Sequence, residues 1–189
     1  MSDTKPDWSA APLTWGTGPR SFELFLEPTC PFSARAFGKL DALLDLAGPE
    51  NLQIRIWLQS QPWHLFSGII CRAIVAASTG PGGKRAARQV MAAVFTDRDA
   101  FEFDDHRSGP NLDTTPNQLI ARIEQASGVA IATAFQLPGL ERVIKQHTRY
   151  ARQNGIHVSP TFLVDGLIDP ALSSGDSPQD WAAAIFGNR

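Results

Sequence analysis

The sequence predicts an α/β fold whose elements run β-α-β, then several helices, then β-β-α. Two segments, 21–27 and 52–58, alternate apolar and polar residues as strands do, and a helical apolar pattern separates them. The middle of the chain carries several further helical patterns. Near the C-terminus a short apolar run, a hairpin-turn dipeptide, a second short run and a capped helix follow one another. Together these observations indicate the α/β class.

The first of these units is a βαβ unit. Ser21–Glu27 is the first predicted strand, and a helix after Pro28-Thr29 ends at Gly48-Pro49, with Phe37, Leu40 and Leu44 on one face. Leu52–Leu58 is the second predicted strand. Because such crossovers are right-handed, we expect the two strands to be parallel neighbours.

The later elements are predicted from apolar periodicity and from capping signals. Helices are expected over 65–79 and 84–96, after Thr115-Pro116, and over 138–154, where Gly155 ends the last of them. Two short strands flank Asp165-Gly166, and Ser177 caps the final helix; the strands are Thr161–Val164 and one that begins at Leu167-Ile168.

Composition excludes several classes of function. The 189 residues have a net charge of −2 and a pI near 6.1, so a nucleic acid partner is not expected. No apolar stretch approaches the ~20 residues that cross a bilayer, so no membrane partner is expected. The first 20 residues resemble no signal peptide, which favours a cytoplasmic protein, and they are predicted to be a loosely attached arm. The oligomeric state is left open.

Cys30 begins the segment Cys30-Pro31-Phe32-Ser33, between the first predicted strand and the first predicted helix. The free amide groups and the positive dipole end of a helix favour an anion there, so this position favours a thiolate. Pro31 suits the first helical turn, where its missing N–H has no partner. The C-x-x-S spacing alone is a weak signal of a reactive cysteine. Its place between a predicted strand and a predicted helix makes it informative.

A second segment, Val158-Ser159-Pro160-Thr161-Phe162, precedes the hairpin. A cis Ser159–Pro160 bond would leave backbone groups free to pair with an extended substrate. The alternative is a trans proline that merely begins a strand.

These two segments, in this order of elements, resemble the DsbA-like branch of the thioredoxin superfamily over residues 21–189. The resemblance implies a thioredoxin-like fold (βαβ … ββα) with an inserted helical domain. It divides the chain into an arm over 1–20, a thioredoxin-like domain over 21–60 plus 140–189, and a helical insertion over 61–139. By the same similarity Cys30 matches the nucleophilic cysteine, Ser33 the resolving-cysteine position and Pro160 the cis-proline.

Ser33 departs from the family pattern, because the disulfide oxidases and reductases of this branch usually carry cysteine there. Serine cannot form the internal disulfide, although its hydroxyl can donate a hydrogen bond to a thiolate. We therefore expect catalysis by Cys30 and Ser33 on protein or glutathione mixed disulfides, with glutathione as a possible co-substrate and no bound cofactor. Alternatively, Ser33 has only a structural role, as a residue that favours the start of a helix.

Other residues follow with less specific signals. Cys71 lies on an apolar helical face and is interpreted mainly as a packing residue rather than a resolving thiol. His64 follows the second strand and could steady the thiolate or move a proton, or simply anchor a helix with Trp63. The remaining histidines show no spacing typical of metal ligands. The predicted substrate-binding residues are Pro31, Phe32, Gln61, His64, Ser159 and Pro160.

Two other functions remain open. A glutathione-dependent transferase or isomerase of the kappa type would share the architecture, but such enzymes use serine at the helix start, where this chain has Cys30. A non-catalytic thioredoxin-fold binding module is the third possibility, and Ser33 keeps it open.

Overall fold

The computed structural model describes residues 13–102 and 111–187. Within them one mixed sheet has the strand order β1-β3-β2-β4-β5, with the strands β1 (Thr14–Trp15), β2 (Arg20–Leu26), β3 (Leu52–Leu58), β4 (Thr161–Val164) and β5 (Leu167–Ile168). The helices are α1 (Pro31–Phe37), α2 (Leu40–Ala47), α3 (Ser67–Ser78), α4 (Gly83–Thr96), α5 (Pro116–Ser127), α6 (Ala132–Phe135), α7 (Leu140–Gln153) and α8 (Pro178–Phe186). A 3-10 helix, Arg98–Phe101, follows α4. None of the helices described is long and apolar enough to cross a bilayer.

The predicted strand pairing is confirmed. β2 and β3 are parallel, from Arg20 opposite Leu52 to Leu26 opposite Leu58. β4 runs antiparallel to β2 and turns at Asp165-Gly166 into β5. The capping boxes at Thr115 and Ser177 are also present, because each hydroxyl accepts the amide of the residue three positions later.

The sheet is covered on both faces, since every residue from Phe22 to Leu26 is buried. Phe22, Leu24 and Leu26 belong to the larger hydrophobic cluster, which continues into α3, α4 and α5. Phe25 faces the other way and packs with Trp57 of β3 against the C-terminal half of α7. On this second face, α7 also borders the segment that follows β3.

The prediction of a loose arm is wrong for the described residues from Leu13 onward, while residues 1–12 lie outside the described part. β1 adds an antiparallel edge strand to β3, pairing Thr14 with Arg55, and Leu13 is fully buried. Backbone packs on backbone here: a Cβ on Gly18 would come within 1.9 Å of the Asn51 carbonyl carbon. A two-residue strand is too short to give a period-two pattern, so sequence reading missed it.

The single helix predicted before Gly48 is two helices. α1 ends at Phe37 and α2 begins at Leu40, with Gly38 and Lys39 between them. The Lys39 ammonium group donates hydrogen bonds to the carbonyls of Ser174 and Asp176, which tie this break to the loop before α8. The contact of Lys39 with the loop before α8 joins residues far apart in sequence. Local apolar periodicity therefore does not predict where α1 ends and α2 begins.

Candidate functional site

Cys30 is the N-cap residue of α1, just after the carboxyl end of β2. Its backbone is extended, with φ −69° and ψ 127°, and Pro31 occupies the first helical turn, so the helix starts as the sequence predicts. The residue is only 6% exposed, and its thiol donates a hydrogen bond to the Ser159 carbonyl at 3.6 Å. The sulfur therefore faces the loop before β4.

The loop opposite Cys30 contains the predicted cis peptide bond between Ser159 and Pro160. The Ser159 hydroxyl donates to Gln61 Oε1 at 2.9 Å, and Gln61 Nε2 donates to the His157 carbonyl at 3.1 Å. Gln61 is buried and thereby joins the segment after β3 to the proline loop. The structure thus brings together predicted site residues from three segments that are far apart in sequence: Cys30, Gln61, and the pair Ser159-Pro160.

Exposed apolar side chains flank these residues. Phe32 of the motif is 51% exposed, Trp63 is 56% exposed and Val158, next to Ser159, is 64% exposed. Pro31 is exposed as well. Because these exposed apolar side chains lie in the three segments that carry Cys30, Gln61 and Ser159, they are suited to contact an apolar part of a substrate. Trp63 is too exposed to anchor α3, the structural role considered for it from the sequence.

Ser33 is fully buried in the first turn of α1, and its hydroxyl accepts a hydrogen bond from the Glu27 amide at 3.2 Å. In the described residues no hydrogen bond joins Ser33 to Cys30, so the expected hydroxyl–sulfur hydrogen bond is absent from this arrangement. Ser33 instead links the start of α1 to the end of β2.

Three residues before Cys30 lies Glu27, whose buried carboxyl group the sequence analysis missed. Its Oε2 atom accepts the amide and the hydroxyl of Thr29 at 2.8 and 2.9 Å, while its Oε1 atom has no hydrogen-bond partner within the described residues. Burial raises the pKa of Glu27 above its usual value of 4.5, against the lowering effects of Ser67, His64 and Thr29. Folding therefore shifts the Glu27 carboxyl toward its protonated form relative to the unfolded chain.

His64 belongs to this buried network rather than to the sulfur. Its Nδ1 atom lies 2.9 Å from Thr29 Oγ1, 2.9 Å from Glu102 Oε1 and 3.6 Å from Glu27 Oε2. Arg98 closes the network by donating to the Thr29 carbonyl and to Glu102. The described residues include no hydrogen bond between His64 and Cys30, so a direct effect on the thiolate remains a prediction. Glu102, which the sequence analysis did not single out, is thus a partner of His64. An acidic residue three positions before Cys30 was the one available signal for Glu27.

Glu27 gives the first testable prediction, on stability. The carboxyl keeps its proton in the folded state at pH values where the unfolded chain has lost it, so its contribution to stability is present below pH 4.5 and is lost as pH rises through the raised folded pKa. Glu27→Gln keeps an acceptor for Thr29 and removes this loss. We expect the urea midpoint of the variant, relative to that of the unmodified chain, to increase from pH 4 to pH 8.

The matched control is Glu50→Gln, at an exposed position. It should leave the pH profile of the urea midpoint parallel to that of the unmodified chain. A parallel profile for Glu27→Gln as well would contradict the assignment of a buried, protonated carboxyl.

Cys71 is a fully buried free thiol on α3. Burial, and secondly the nearby Glu27 carboxyl group, raise the pKa of Cys71 far above its usual range. A thiol that resists ionisation is a poor nucleophile, so the packing interpretation of Cys71 is the one favoured by its surroundings.

A scan of protein-family models and a search of curated proteins gave no match. Among solved structures, a candidate protein-disulfide isomerase from Pseudomonas syringae is 61% identical, with 92% of this chain and 97% of that chain covered and a TM-score of 0.90.

More distant structures share the fold. The oxidoreductase DsbA from Xylella fastidiosa is 21% identical, with 94% of this chain and 86% of that chain covered and a TM-score of 0.60. A periplasmic thioredoxin-like protein from Salmonella enterica serovar Typhimurium is 14% identical, with 91% and 86% covered and a TM-score of 0.64. The predicted thioredoxin-like fold is thereby confirmed. The cytoplasmic location expected from the sequence stays a prediction.

Proposed function

The chain belongs to the family of the Pseudomonas syringae protein, within the thioredoxin fold, and on that premise we propose that it is a thiol-disulfide oxidoreductase that uses a single thiol, Cys30. The observation that carries the proposal is the position of the Cys30 sulfur, at the start of α1 and 3.6 Å from the carbonyl of Ser159 in the cis-proline loop. The substrates are disulfides of proteins or of glutathione.

The reaction is thiol-disulfide exchange. The Cys30 thiolate attacks one sulfur of a substrate disulfide, a mixed disulfide forms, and the other substrate sulfur leaves as a thiolate. Cys30 is oxidised and the released sulfur is reduced, so no external electron acceptor is needed for this step. Backbone groups beside Pro160 would pair with an extended substrate, and the exposed ring of Phe32 would contact its apolar side chains.

A single-thiol mechanism follows from the chemistry of the two other candidate groups. Ser33 carries a hydroxyl and cannot form a disulfide with Cys30. Cys71 is fully buried and its raised pKa keeps it protonated. Release of the mixed disulfide therefore requires a thiol from solution, and glutathione is the co-substrate that we propose.

The proposal is tested by incubating the protein with oxidised glutathione and locating adducts by peptide mass spectrometry. We expect one glutathione on Cys30 and none on Cys71, with the same adduct in the control Cys71→Ala. A Cys30–Cys71 disulfide would contradict the single-thiol mechanism. Absence of any adduct would instead favour a non-catalytic binding module. Glutathione conjugation that survives Cys30→Ala would favour a kappa-type transferase.

A further inference from the structure

A cavity of about 310 Å³ lies beside the cis-proline loop. Its walls come from the segment Gln59–Trp63 after β3, from the C-terminal half of α7, and from Ile156 and His157. Ligand cavities in proteins typically measure roughly 300–1,000 Å³, so this one accommodates a small molecule and not a folded protein.

The cavity is joined to the site through one side chain. Gln61 lines the cavity, and its amide bonds on one side to the Ser159 hydroxyl and on the other to the His157 carbonyl. The Ser159 carbonyl in turn accepts the Cys30 thiol. A molecule held in the cavity therefore lies against the same loop as the reactive sulfur.

The charge of the cavity selects the class of ligand. Arg152 and His157 are among its lining residues, and none of those lining residues is a carboxylate. Within the described residues the Arg152 guanidinium makes no ion pair. The helix that carries it, α7, has four Lys or Arg residues and one Glu. Guanidinium groups bind carboxylates with two parallel hydrogen bonds, so the cavity is suited to a small anion that carries a carboxylate.

We propose that this cavity is the binding subsite for a small anionic peptide thiol, of which glutathione is the probe, and that Arg152 binds its carboxylate. The inference rests on the proposed function, since a single-thiol site needs an external thiol close to Cys30. In exchange with the oxidised form of this thiol, Cys30 attacks one sulfur, a Cys30–ligand disulfide forms, and the second half of the ligand leaves as a thiolate.

The test compares two disulfides that differ in charge. Mixed-disulfide formation on Cys30 is timed with oxidised glutathione and with the neutral bis(2-hydroxyethyl) disulfide. Arg152→Gln should slow the reaction with oxidised glutathione about fivefold at low ionic strength and leave the neutral reagent unaffected. The matched control is Arg142→Gln, an exposed position on the same helix that does not line the cavity. It should change neither rate.

Equal effects of Arg152→Gln on both reagents, or no effect on either, would overturn the subsite. A binding measurement without redox chemistry completes the design: S-methylglutathione added to Cys30→Ser should shift the indole N–H resonance of Trp63, and Arg152→Gln should weaken that binding. If the unmodified protein formed no mixed disulfide with either reagent while S-methylglutathione still bound, the proposed function would fail and the subsite would stand.

Discussion

Ser33→Cys is expected to turn the single-thiol site into a dithiol site that oxidises reduced, unfolded proteins without added glutathione. Cys30 is the N-cap of α1 and Ser33 lies three residues later, in its first turn. Helix geometry places two such Cα atoms about 5 Å apart, within the range that a disulfide spans. In the pre-oxidised variant, a thiolate of the reduced protein attacks the internal disulfide, the introduced thiol leaves as a thiolate, and a mixed disulfide with Cys30 forms; a second thiolate of the same protein then displaces Cys30 as a disulfide forms in that protein. Because the unmodified chain holds no internal disulfide to transfer, we expect disulfide formation in the test protein to be at least about 100-fold faster with the variant.

The measurement is the rate at which the pre-oxidised variant forms disulfides in a reduced, unfolded test protein, followed by acid quenching and mass spectrometry. Ser33→Ala is the control: it removes the hydroxyl that accepts the Glu27 amide and introduces no thiol. It should form disulfides in the test protein as slowly as the unmodified chain. An introduced thiol that stays reduced next to Cys30 in the presence of excess oxidant would show that the turn is not shaped for a disulfide.

The second expected result is that the buried ring of His147 makes the protein less stable at low pH. This ring is fully buried on α7, its Nδ1 accepts the Leu58 amide at 2.9 Å, and its Nε2 has no partner within the described residues. Burial lowers the pKa of His147 from 6.5 to about 4. Below pH 6.5 His147 binds a proton in the unfolded chain but stays neutral in the folded chain. The free energy of unfolding therefore decreases as pH falls, and this decrease is complete below about pH 4. At 1.36 kcal/mol per pKa unit, this loss is about 3 kcal/mol.

His147→Gln should remove this loss, since the Gln carbonyl can still accept the Leu58 amide. The free energy of unfolding, from urea titrations at pH 7.5 and pH 4, should decrease less in the variant than in the unmodified chain by about 3 kcal/mol. His157→Gln, at an exposed position, is the matched control and should leave that decrease unchanged. An equal decrease in all three proteins would mean that the buried ring does not stay neutral. The hydrogen bond between the Leu58 amide and His147 also bears on function. Leu58 is the last residue of β3, and the segment that follows it carries Gln59 and Gln61, which line the cavity.

Much of the site could be predicted because its signals are local. A strand that alternates over 21–27 and a Cys-Pro pair at its end predict a cysteine at a helix start, and the structure has Cys30 there. Likewise, Ser159-Pro160 before a short strand predicted the proline loop. Ligands gather beyond the carboxyl ends of strands, so the sequence could predict that Gln61 lies near the site. It could not predict the hydrogen bond from the Ser159 hydroxyl to Gln61.

The buried network could not be predicted in the same way. Glu27, His64 and Glu102 lie in three separate segments, and each looks like an ordinary polar residue in its own segment. Burial of the Glu27 side chain raises its pKa, and His64 meets Thr29 and Glu102 only in the folded chain. For the same reason the edge strand β1 and the break between α1 and α2 were missed, since both depend on contacts with distant parts of the chain.

By itself, the sequence determined the order of the longer strands and helices, the helix that begins after Cys30, the proline loop and the absence of a resolving thiol at position 33. Periodicity, capping and residue chemistry act over a few neighbouring residues, so a local pattern is enough to report them. Only the tertiary structure decided that the Cys30 sulfur faces Ser159, that Glu27 and Cys71 are buried, and that a cavity lined by Arg152 borders the segment before the cis-proline. These features depend on which surfaces exclude water together, and burial is a property of the packed chain rather than of any one segment.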